Sequence, residues 1–185
     1  MKGAFRLAQG VDASGTEKLR SSYSVNSSGV KALLSGELIL PAAKKLTELL
    51  EEPVFFFLEL PQENSEEYDI YYLDNCTKQV AAAILDRYGE LLAQDGVSRF
   101  GFGSHKTEEE LYFGEYQELS VYAPGNSVYE EALEELGLEG LSEADSIWEL
   151  LSDEEPGTLT AVEIEGETVF DLPELLKNAG IYKAE

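Results

Sequence analysis

The chain has 185 residues, and 37 Asp and Glu against 13 Lys and Arg give it a formal net charge of −24. A single Cys excludes an internal disulfide, and the sequence holds no run of about 18 apolar residues that would cross a membrane as a helix. So negative a field opposes direct contact with nucleic-acid phosphates or anionic lipid, and neither nucleic acid nor membrane is expected as a partner.

One domain over 1–185 is expected from the length. Residues 9–29, rich in Ser and Gly, read as an irregular arm or long loop. Residues 30–35 and 41–51 follow as two short helices, with Pro41 in the first turn of the second. The uniformly apolar Val54–Leu60 predicts a central strand, and Tyr68–Leu73 its antiparallel partner across a polar loop.

A long helix is predicted from Cys76 to Asp95. Val80, Ala81, Ile84, Leu85, Tyr88, Leu91 and Leu92 recur at steps of three and four and make one apolar stripe. Asp74 or Asn75 can cap its start, and Gly96 can supply a left-handed stop. Three strands follow, Ser98–Ser104, Glu110–Phe113 and Glu118–Ala123. Ser127 with Glu130, and Ser142 with Asp145, have the spacing of capped helix starts. Pro156-Gly157 turns the chain into a strand over Thr158–Ile164. A Glu165-Gly166 turn leads to Thr168–Phe170, and Asp171 caps a last helix that stops near Gly180. Hairpins mixed with helices, without a strand-helix-strand rhythm, predict an α+β fold. Its sheet would be largely antiparallel or mixed, with about six to seven strands and helices mainly on one face.

Charge singles out the first candidate site. Residues 1–50 carry a net +3 and residues 51–185 a net −27, and Lys106 is the one base among 13 acids in 101–150. On the helix after Ser127, a buried stripe of Val128, Ala132, Leu133 and Leu136 would put Glu130, Glu131, Glu134 and Glu135 together outside. Like charges four apart on a helix cost about 0.2–0.5 kcal/mol per pair. A basic partner would relieve that cost and gain association rate from it; the plainer reading is a solvated helix face.

Glycine singles out the second. Alternation along the Ser98–Ser104 strand puts Arg99, Gly101, Gly103 and His105 on one face. Two glycines in line bare the sheet, and Arg99 and His105 at the ends could hold an anion. Close packing over the glycines, or a bulge, explains the same pattern. Cys76 at a helix start could have its thiol activated by the backbone dipole, but nothing places His105, the sole histidine, beside it. The Cys, His and carboxylates show no metal-ligand spacing, and no glycine loop has nucleotide-binding order. No metal or cofactor is therefore expected. The opening ten residues lack the apolar stretch of a signal peptide, which predicts a cytoplasmic location. The expected function is a non-enzymatic acidic domain, antidote- or regulator-like, that binds a basic protein. The alternative is a small-molecule-binding domain or small enzyme using an Arg99/Gly101/Gly103/His105 anion pocket.

Overall fold

The computed structural model describes residues 3–185. Eleven strands form in chain order: β1 (Val11–Asp12), β2 (Ser22–Asn26), β3 (Gly29–Leu33), β4 (Val54–Pro61), β5 (Tyr68–Cys76), β6 (Arg99–Ser104), β7 (Glu109–Phe113), β8 (Glu118–Tyr122), β9 (Glu139–Gly140), β10 (Thr158–Leu159) and β11 (Tyr182–Lys183). Four α-helices accompany them: α1 (Ile39–Thr47), α2 (Lys78–Gln94), α3 (Ser127–Glu135) and α4 (Leu172–Leu175). The fold is α+β. One mixed sheet has the order β11-β5-β4-β6-β7-β8-β3-β2-β9, and β1 pairs separately with β10. Every pairing is antiparallel except β2 with β9.

The main sheet thus has nine strands rather than six or seven. Two of the additions, β9 and β11, are edge strands of two residues each. The others come from the N-terminal segment. Residues 9–29 contain β2 as well as β1 of the small separate sheet, and Val30–Leu33, expected as helix, belong to β3. The hairpin between β2 and β3 is set by Asn26, whose side-chain oxygen accepts the N–H groups of Ser28 and Gly29 at 2.8 and 3.0 Å. These bonds support the two-residue turn at Ser27-Ser28 that joins the paired Asn26 and Gly29.

The long helix forms with different ends. Thr77, not Asp74 or Asn75, caps α2 by accepting the Val80 N–H at 3.1 Å. At its other end the Asp95 carboxylate accepts the N–H groups of Val97 and Ser98 at 3.0 and 2.7 Å. Gly96 serves close backbone approach, because a Cβ there would overlap the Gly10 main chain. No helix starts at Ser142. Asp145 instead accepts the Arg20 main-chain N–H at 2.9 Å, and only a short 3-10 turn forms at Trp148–Leu150. Of Thr158–Ile164, only Thr158–Leu159 pairs as a strand.

Cross-strand rungs fix which side chains meet. Phe56, Phe102, Leu111 and Val121 stand in register on one face, as do Leu58, Phe100, Phe113 and Leu119. These join Ala42 and Leu46 of α1, Ile84 and Leu85 of α2, and Tyr129 and Leu133 of α3 in one buried cluster. Among the described residues no helix is long and apolar enough to cross a membrane.

Candidate functional site

The opposite face of the sheet is built differently. Phe55 and Phe57 alternate with core residues along β4, so their rings stand on this second face. They are 7% and 2% exposed, yet lie outside the core cluster. Neighbouring rings bury them. Phe57 lies 5.6 Å from Tyr112 and 6.5 Å from Tyr72, and Tyr72 lies 6.2 Å from Tyr182, centre to centre.

Those rings explain the two glycines of β6. A Cβ at Gly101 would overlap the Phe57 ring and the Leu111 carbonyl oxygen, and one at Gly103 would overlap the Phe55 ring. Aromatic side chains from the adjacent strand cover the bare backbone, leaving no trough for a ligand. Arg99 is committed within the chain. Its guanidinium pairs with Glu59 at 2.7 Å and lies 3.6 Å from the centre of the Tyr68 ring. His105 stacks on Phe55 at 4.4 Å near the other end of the strand. At about 3.3 Å per residue, the two side chains sit roughly 20 Å apart along the strand direction, too far to share a small anion. Arg99, Gly101, Gly103 and His105 therefore do not come together as one anion pocket.

The acidic helix is also rotated from its expected phase. Tyr129, Ala132 and Leu133 are buried, while Val128 is 50% exposed. The large ring at Tyr129 wins the inner position and donates its hydroxyl to Glu109. Glu130 is half-buried, and Glu131, Glu134 and Glu135 are exposed. Two of the four have partners within the chain, since Glu134 accepts the Tyr23 hydroxyl and Glu135 pairs with Lys45. The hydrogen bond to Glu134, burial and the nearby Glu130 push the Tyr23 phenol up to about 12.

Cys76 ends β5 and is buried. Burial, with the Asp74 charge, pushes its thiol up to about 11, the reverse of activation at a helix start.

A site the sequence does not announce lies where β5, β6, β7, β8 and β11 meet on the second face. An open groove of about 580 Å³ is lined by Asp74, Glu108, Glu109 and Glu110, and by Phe55, Tyr72, Tyr122 and Tyr182, with the Glu109 carboxylate turned to Tyr129 on the core side. Ser104 and His105 complete the lining, which holds no Lys or Arg. Tyr182 donates its hydroxyl to Asp74, which fixes one wall. Burial, then the Glu59 charge, raise the Glu110 carboxyl above the usual carboxylate range, and only His105 opposes them. Burial and the charges of Glu110, Glu59 and Asp74 likewise raise the Tyr72 phenol, so several carboxylates act on that one ring. Among the described residues, no three His, Cys, Asp or Glu are placed to hold a metal ion. The signals in the sequence are Glu108-Glu109-Glu110 and the Tyr and Asp residues of 68–74, but neither reveals that the two meet.

Comparison with protein-family models, with curated proteins and with solved structures found no match to this chain.

Proposed function

We propose that the protein is a non-catalytic acidic domain that docks a basic protein on the second face of its sheet, across the groove from Asp74 to Glu110. One observation carries this reading: Asp74, Glu108 and Glu110 line a single groove with four aromatic residues, and no Lys or Arg in the lining neutralises them. Unpaired surface carboxylates raise the rate of encounter with a cationic surface. Rigid rings beside them supply contact area at little conformational cost. Helix α3 packs on the opposite face of the sheet, where Tyr129 joins the buried cluster and bonds Glu109, so its exposed acids form a separate negative surface. A cytoplasmic setting belongs to this reading and suits the one buried, free thiol of Cys76.

The test is a capture experiment with the full chain across a salt series. A basic protein held at low salt and released by about 0.5 M NaCl supports the reading, since screening then acts within about 4–5 Å. Two variant sets locate the surface. Replacing Asp74 with Asn and Glu108 and Glu110 with Gln should slow association about tenfold. Replacing Glu130 and Glu131 with Gln should change it far less. The opposite ranking would move the docking surface to α3, and no effect from either set would end the proposal.

A further inference from the structure

The core side of the sheet holds a small internal cavity where the start of β6 meets the C-terminal end of α2. Leu92, Ala93, Phe100 and Phe113 give it apolar walls, and Asp95 and Ser98 bring polar groups to it. About 20 Å³ of it is open to the centre of a water molecule. Ser98 directly precedes β6, and the two-residue alternation of the strand sets it with Phe100 on the core face. It is 7% exposed, yet its hydroxyl has no hydrogen-bond partner within the protein. A buried hydroxyl left unpaired is rare in folded proteins.

The surroundings narrow the occupant. The Asp95 carboxylate accepts the N–H groups of Val97, Ser98 and Val162 at 3.0, 2.7 and 3.2 Å. Those donors meet its charge and leave lone pairs for one more. A calcium ion would need about six to eight oxygen ligands, which the apolar walls do not supply. An apolar guest would leave the hydroxyl unpaired. A water molecule needs about 10–15 Å³ and two to four polar partners, and the cavity meets both conditions. We propose that one water molecule is built into this cavity, accepting from the Ser98 hydroxyl and donating to Asp95. The site adjoins a three-way junction. There Gly10 donates to the Gln94 carbonyl at 2.8 Å, Gly96 to the Thr160 carbonyl at 3.0 Å, and Thr160 to the Gly10 carbonyl at 2.8 Å. The water fastens the start of β6 to this seam between the N-terminal segment, α2 and the β1–β10 pair.

A high-resolution crystal structure of the full chain is the direct test. It should show one water about 2.5–3.0 Å from the Ser98 Oγ and within reach of an Asp95 oxygen. In solution, Ser98→Ala should lower the oxygen-17 relaxation dispersion of the solvent by the contribution of one long-lived molecule. The Gly10 and Thr160 amides should then exchange about fivefold faster, and the variant should melt about 2–4 °C lower. A cavity without water in the crystal, or a Ser98 hydroxyl donating to a main-chain carbonyl, would overturn the inference. So would unchanged dispersion in the variant. A raised Tm would overturn it too, since deleting the hydroxyl stabilises the fold only if that group is buried unpaired.

Discussion

The Phe57 ring lies directly over Gly101, in the space that any other residue's Cβ would claim. Strand register creates this relationship, since Phe57 and Gly101 are cross-strand partners in β4 and β6. Gly101→Ala should cost about 1–3 kcal/mol through overpacking. Phe57→Ala should cost about 3–5 kcal/mol, because the ring is buried. Shrinking Phe57 should not rescue Gly101→Ala, since the second obstacle is the Leu111 main-chain oxygen. Urea denaturation of the two single variants and the double variant checks this. Full rescue would show that the ring alone excludes a side chain at Gly101.

Gln117 ties the N-terminal segment to the sheet. Its side-chain oxygen accepts the Ala8 N–H at 2.7 Å, and its amide nitrogen donates to the Arg6 and Leu34 carbonyls at 3.0 and 2.8 Å. The residue is buried and has a left-handed backbone, φ 64°. Gln117→Ala strands the Ala8 N–H and should cost about 1–3 kcal/mol. Hydrogen exchange should speed up at Ala8 well before the core strands respond. Uniform loss of protection across β4–β7 would contradict this local role.

Glu110 should trade stability for binding. Its folded-state carboxyl titrates above the ordinary range because of burial and Glu59. The protonated form is therefore the one the fold prefers. That contribution is complete below the ordinary carboxylate value and is lost as pH rises through the raised one. At pH 7 the ionised group is a liability, so Glu110→Gln should raise Tm by about 1–2 °C. The gap should close below about pH 4. A Tm lowered at pH 7 would mean that the carboxylate is compensated within the chain.

Cys76 should be unreactive in the folded protein. With its thiol pushed up to about 11, the thiolate amounts to about one part in ten thousand at pH 7. Labelling by a disulfide reagent should be slow in buffer and fast in urea. Rapid labelling of the native protein would contradict its burial.

Much of the fold is readable from local pattern. The apolar run at Val54–Leu60, the stripe from Val80 to Leu92 and the alternation in 98–123 each reflect contacts along one element. Where two phases fit equally, local pattern stops discriminating. Val128 and Tyr129 both precede Ala132 and Leu133 at helical spacing, and only packing against β7 turns Tyr129 inward. The β2–β3 hairpin was hidden because its two-residue turn is Ser27-Ser28, supported by the Asn26 side chain, and not the Asn-Gly pair that marks such turns. The glycines of β6 were conspicuous, but their explanation lies in Phe55 and Phe57, about 45 residues earlier and legible only once the register is known. The groove is the extreme case. It gathers Phe55, Asp74, Glu110, Tyr122 and Tyr182 from separate parts of the chain, so no single stretch of sequence carries its signature.

Strand β11 gives that groove a detachable wall. It holds to β5 through two residue pairs, the Ala184 N–H to Ile70 oxygen bond at 2.8 Å, and a solvent-facing Lys183–Asp69 ion pair at 3.0 Å. So short an edge opens at far lower free energy than the central strands. Each opening withdraws Tyr182 and frees Asp74 while the rest of the sheet stays intact. Whatever fills the groove must therefore hold this margin closed, and the end of the chain should become more resistant to proteases in the complex than alone.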